Sequence, residues 1–160
     1  MRILGIDPGL GVTGYGVIDS QGMDLILIEA GVIKNPSNIP LPIRLKKVYG
    51  GIIGILKDYK PGIIVLEELY SHYKHPMTAI LMGHVRGVIC LAASERKVPV
   101  IGYSATQVKK SVVGNGRASK EQTQRMVQHF LKIKKSPASL DLTDALALAI
   151  AHAFYKCSEV

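Results

Sequence analysis

The spacing of apolar positions changes along the chain, and each change marks a predicted element. Residues 2–7 and 13–19 are short, β-branched and apolar, and the Pro8–Gly11 turn between them predicts a hairpin. "DLILIEAGVIK" predicts a third strand and "NPSNIPLP" a loop. Ile43, Leu45, Val48, Ile52, Ile55, Leu56 and Tyr59 then recur at helical spacing, so an amphipathic helix is expected there. Its glycines at 50, 51 and 54 either weaken it or admit a close neighbour. "PGIIVLE", residues 61–67, is a continuous apolar run, as in a central strand covered on both faces. After the loop "ELYSHYKHP" the pattern predicts a helix from about Met77 to Arg96, a strand in "VPVIGY" and a short helix in "SATQVKKSVV". A turn at "GNGRA" precedes a helix from Ser119 to Lys132, opened by a capping box of Ser119 and Gln122. A basic loop, "KIKKSPASL", leads to a last apolar helix from Asp141 to Tyr155. Strands and helices alternate, which is the α/β class, and without a repeat or linker the 160 residues read as one domain.

Composition narrows the partners. Twenty basic residues against twelve acidic ones leave a net charge of +8, which favours an anionic partner. Nucleic acid ranks ahead of an acidic membrane, because no long basic amphipathic helix stands out. The apolar runs "GIIVL" and "ALALAIAHAF" fall short of a membrane span, and Arg2 is not followed by a signal-peptide pattern. Cys90 and Cys157 lack metal-ligand spacing and read as free thiols, so a cytoplasmic location is expected.

Four acidic residues lie where burial is expected. Asp7 ends the first strand, Glu67 ends the central strand, and Asp141 and Asp144 share one face at the start of the last helix. Functional groups of sheet-centred α/β domains gather at strand ends. Crowded carboxylates repel, and must take up protons or share a cation. Mg²⁺ prefers such hard oxygen ligands, and two ions about 3.5–4 Å apart suit phosphodiester hydrolysis. The glycines after Asp7 suit backbone approach to a phosphate. Each residue also has a plainer reading: Asp-Pro-Gly forms turns, Asp141 can cap a helix, and Asp144 suits the helix dipole. Glu68 beside Glu67 leaves open which of the two faces the site.

The stretches "GIDPGLGVTGYGVI", "VLEELY", "MGHVRGVICLAA", "QVKKSVVGNGRASKEQTQRMV" and "DLTDALALAIAHA" together resemble the RuvC-type Holliday-junction resolvases, in order and spacing, along nearly the whole chain. The resemblance implies an RNase H-like fold, with antiparallel hairpin strands followed by parallel strands and helices on both faces of the mixed sheet. It implies a homodimer that nicks two opposed strands of a four-way DNA junction in recombination and repair, leaving 5′-phosphate and 3′-hydroxyl ends. The family's acidic set carries over onto Asp7, Glu67, Asp141 and Asp144 as catalytic and metal-binding residues, for two Mg²⁺ ions with Mn²⁺ as a substitute. Asp7 would bridge the ions, Glu67 hold one, and Asp141 with Asp144 the other. The family's aromatic position matches Tyr70, expected to insert at the crossover, and its basic positions match Lys109 and Lys120. Arg117, Lys132, Lys134 and Lys135 are expected to add to a positive DNA-facing surface. A branch-migration helicase complex is the further partner implied.

His72 and His75 lack a third ligand at suitable spacing, so zinc is not expected. His84 and His152 lie in apolar helices and read as core or interface residues. The Met77–Arg96 helix, apolar on most faces, suits a two-fold interface or packing on the sheet. Two rival readings remain: a nuclease of the same fold acting on RNA or flaps, and a junction-binding scaffold without catalysis.

Overall fold

The computed structural model describes residues 1–68, 76–133 and 140–158. Five strands, β1 (Arg2–Asp7), β2 (Val12–Gln21), β3 (Asp24–Lys34), β4 (Ile63–Glu67) and β5 (Val100–Tyr103), form one sheet in the order β3-β2-β1-β4-β5. The hairpin strands pair antiparallel, and β4 and β5 add in parallel beyond β1. Among the described residues the helices are α1 (Leu41–Tyr59), α2 (Pro76–Glu95), α3 (Ala105–Val113), α4 (Lys120–Phe130) and α5 (Leu140–Ser158). This is the mixed, RNase H-like sheet expected from the resemblance.

The period-two pleat sorts the strand side chains between two cores. Leu4, Ile6, Val17, Ile64 and Leu66 pack with α1 and α2 on one face. Ile3, Ile18 and Val65 pack with α3, α4 and α5 on the other. Strands β1 and β4 are covered on both faces, which explains the unbroken run in "GIIVL".

Element boundaries differ from the expectation in instructive ways. Helix α1 starts at Leu41, two residues into the predicted loop, because Pro42 sits in the first turn where its missing N–H has no helical partner to lose. Among its glycines, Gly51 admits a neighbour, since a Cβ there would lie 2.6 Å from Ile33 Cδ1, whereas Gly50 and Gly54 face open space. Ser104 and Gln107 form a second capping box, at the start of α3, beside the one at Ser119 and Gln122. Helix α2 is long and apolar enough to cross a membrane, contrary to the expectation drawn from the apolar runs. Its Val85, Ile89, Ala92 and Ala93 are fully buried against α1 and the sheet, while most of the helix is only partly buried or exposed.

Candidate active site

Alternation along the strands decides which way the acids point. On β1, Ile3 and Gly5 face α5, and two residues on so does Asp7. On β4, Val65 faces the same side, and so does Glu67. The parallel register pairs Ile6 with Leu66, so Asp7 and Glu67 leave neighbouring strand ends side by side. Glu68 turns the other way: a Cβ on Gly102 would lie 2.8 Å from Glu68 Cγ, and Gly102 pairs with Leu66, whose side chain lies in the α1–α2 core. The doublet is thereby resolved in favour of Glu67.

Glycines in the hairpin draw α5 onto the same site. A Cβ at Gly5 would lie 2.0 Å from the Ala145 carbonyl oxygen, and one at Gly14 would lie 2.2 Å from that of Asp141. Gly14 is the ladder partner of Asp7, so Asp141 lies across the hairpin from it. Asp141 is inside the first turn of α5, which begins at Leu140, and Asp144 follows one turn later. The N-cap reading of Asp141 is set aside.

Crowding shows in the protonation chemistry. The Asp7 carboxyl is pushed up to about 7, first by burial, then by the negative charges of Asp144, Glu67 and Asp141, with Lys120 opposing. Burial, then Asp144, raises Glu67 above the usual carboxylate range against the pull of Lys120, Lys109 and Arg86. Burial likewise raises Asp144, although Lys120 Nζ stands 3.6 Å from its Oδ2. Lys120 is well exposed, so this pair is worth only about 0–1 kcal/mol, and the cluster stays under-neutralised. An oxygen-only set that cannot be fully ionised without a counter-charge fits a hard divalent cation. Among the described residues no three His, Cys, Asp or Glu side chains stand close enough together to hold a metal ion as they are.

Lys109 and Lys120 line a cleft of about 170 Å³ with Glu67 and Asp144, so the structure brings both expected basic residues to the acids. Arg117 is exposed on the turn between α3 and α4, outside that cleft. Lys132 lines a separate groove with Arg125 and His129. Tyr70, His72, Tyr73, His75, Lys134 and Lys135 lie outside the described residues. His152 is fully buried, its Nδ1 2.9 Å from the Tyr103 hydroxyl, whereas His84 is exposed on α2.

The sequence reading assigned no role to Arg86 and Arg44. Arg86 Nη1 donates to the Glu67 carbonyl, tying α2 to the end of β4. It stood in "MGHVRGVICLAA", where a charge inside an apolar helix was the available signal. Arg44 lines a second cleft, with Asp7 and Asp141.

A sheet of this order, with carboxylates at its parallel strand ends and a basic rim, defines a nuclease of the RNase H-like class. Residues 3–152 match the family described as "Crossover junction endodeoxyribonuclease RuvC". The chain is 49% identical over 148 residues to the crossover junction endodeoxyribonuclease RuvC of Rhodopirellula baltica, covering 92% of this chain and 83% of that one. It is 41% identical to the RuvC of Brevibacillus brevis, covering 98% and 93% of the two chains. It superposes on T. thermophilus RuvC in complex with a Holliday junction substrate with a TM-score of 0.95 at 33% identity, covering 99% and 96%. The yeast mitochondrial Holliday junction resolvase Ydc2 shares the fold, with a TM-score of 0.69 at 14% identity over 97% and 78% of the two chains. The chain belongs to the RuvC family of crossover junction endodeoxyribonucleases.

Proposed function

We propose that this chain resolves four-way DNA junctions by hydrolysing a phosphodiester bond in each of two opposed strands, with Asp7, Glu67, Asp141 and Asp144 as its catalytic carboxylates. The observation that carries the reading is the convergence of these four acids from β1, β4 and α5 onto one face, under lysines, in a chain of this family.

Asp7, Glu67, Asp141 and Asp144 would together hold the divalent ions, and Asp7 feels the negative charge of the other three. Mg²⁺, or Mn²⁺ in its place, supplies Lewis-acid activation of water and charge neutralisation at the leaving oxygen. Lys120 and Lys109 bring positive charge to the cleft and favour the phosphate there. Arg86 holds the backbone of Glu67, so its carboxylate enters the site from a fixed strand end. The products are a 5′-phosphate and a 3′-hydroxyl.

Two such sites act together in a homodimer. Helix α2 leaves Met77, Ile80 and Leu91 more than half exposed, an apolar stripe at helical spacing on the side away from the core. That stripe suits a two-fold partner.

The test is cleavage of a synthetic four-way junction with Mg²⁺, beside duplex, flap and RNA substrates, with both nicks mapped. Paired nicks restricted to the junction support the reading. Preferred cleavage of flaps or RNA would replace it with a different substrate, and binding without cleavage would leave a scaffold.

A further inference from the structure

The acids stand between two clefts, and only one has a described basic partner in the mechanism above. Beside the cleft of Glu67, Asp144, Lys109 and Lys120 lies a larger one of about 420 Å³, lined on its polar side by Asp7, Arg44, Thr78 and Asp141. Arg44 is its one basic residue among those described.

The backbone of Arg44 is held in place, and among the described residues no carboxylate pairs with its side chain. Its carbonyl accepts a hydrogen bond from Asn35 Nδ2 at 3.3 Å, and its amide donates to the Pro40 carbonyl at 3.1 Å. The Asn35 amide donates to the Gly11 carbonyl at 2.7 Å. The start of α1, the end of β3 and the turn after Asp7 are thus one hydrogen-bonded cluster. The side chain is half-buried, and its Nε is buried without a hydrogen-bond partner. Among the described residues no carboxylate forms an ion pair with it, although Asp7 and Asp141 line the same cleft. A guanidinium nitrogen kept out of water and unpaired is unfavourable, and an idle arginine would swing into solvent. An anion entering the cleft would supply the missing acceptor. The planar guanidinium matches phosphate oxygens two at a time, better than an ammonium does.

A DNA strand crossing the acids presents one phosphate for cleavage and others on either side. Lys109 and Lys120 attend one side. We propose that Arg44 binds, through its guanidinium in the second cleft, a phosphate of the cleaved strand next to the scissile one on the Asp7–Asp141 side. This rests on the junction-cleaving reading and adds a positioning residue to it: Arg44 fixes where the strand lies across the acids.

The test is single-turnover cleavage of junctions in which one phosphate at a time is replaced by a neutral methylphosphonate, with the native chain, Arg44→Ala and Arg44→Lys. With the native chain, neutralising the contacted phosphate slows cleavage by about tenfold or more, the worth of a charge-assisted hydrogen bond. With Arg44→Ala, cleavage of the unmodified junction falls similarly, and the same neutralisation then changes the rate by no more than about twofold, while other positions keep their effects. The salt dependence of junction binding also loses about one phosphate contact. Arg44→Lys, which keeps stem and charge but not the fork, falls between the two and serves if Arg44→Ala is poorly folded. Multiplicative effects at every phosphate, or an unchanged phosphate profile in Arg44→Lys, overturn the inference. Failure of the native chain to cut the unmodified junction would instead overturn the reading beneath it.

Discussion

Gly14→Ala isolates the claim that the hairpin glycines place the acids. Gly14 has no left-handed φ, so alanine strains no backbone there. Its Cβ would lie 2.2 Å from the Asp141 carbonyl oxygen, 2.5 Å from the carbonyl carbon and 3.1 Å from the Asp141 Cβ. Ordinary contact begins near 3.4 Å, so the start of α5 must retreat by about 1 Å. The atoms in the way are backbone, and no rotamer change relieves them. Overpacking of this kind lowers stability by about 1–3 kcal/mol. A misplacement of about 1 Å at catalytic groups lowers a rate about 100-fold. Metal-dependent junction cleavage should therefore fall by about two orders of magnitude. Junction binding should change little, because the substitution removes no basic residue. Circular dichroism and thermal melting separate a displaced helix from an unfolded chain. A Gly14→Ala chain that melts and cleaves like the native one would show that close approach at Gly14 does not set the position of α5.

The Asp7 carboxyl is pushed up to about 7 from an ordinary 3.8, so between those values the folded chain holds a proton that the unfolded chain has lost. Stability of the cation-free protein should accordingly fall as pH rises from 5 to about 7 and level off above it, more shallowly in Asp7→Asn. Added Mg²⁺ should recover it most at the high end, because bound cation and bound proton compete; a melting temperature rising from pH 5 to 7 without cation would contradict this. Gly54→Ala on α1 meets nothing within 4 Å, so it should raise stability by up to about 1 kcal/mol in denaturant titrations, and a loss would show an unseen close contact. If the proposed homodimer forms through the exposed face of α2, light scattering should find the native chain dimeric and Leu91→Glu monomeric with the fold intact; a dimeric Leu91→Glu would move the interface elsewhere, and a monomeric native chain would overturn the dimer.

Much of this architecture was legible in the chain because its signals are local. The strand ending at Asp7, the strand ending at Glu67 and the helix opening at Asp141 each show their own period and boundary. Their meeting is set by register, which links residues some sixty positions apart in Ile6–Leu66 pairing and leaves no local mark. For the same reason Glu67 and Glu68 could not be told apart: the answer lay in which face Leu66 and Gly102 share. The glycines near Asp7 carried a second meaning. In sequence they suit backbone approach to a phosphate, yet Gly14 makes room for α5, which depends on a helix more than a hundred residues later. Arg44 is one more polar position on an amphipathic helix in the sequence, and only the structure, where its backbone is tied to Asn35 and through it to Gly11, places it in a cleft with Asp7 and Asp141.

The proposed cleavage depends on divalent cations being held by acids that the fold gathers from β1, β4 and α5. Its most direct test is a paired measurement on Asp7→Asn: junction binding, and junction cleavage with Mg²⁺. The substitution keeps size and removes the charge that Asp144, Glu67 and Asp141 act upon. Cleavage should be abolished with binding preserved; cleavage at the native rate would show that Asp7 is not part of the cation site.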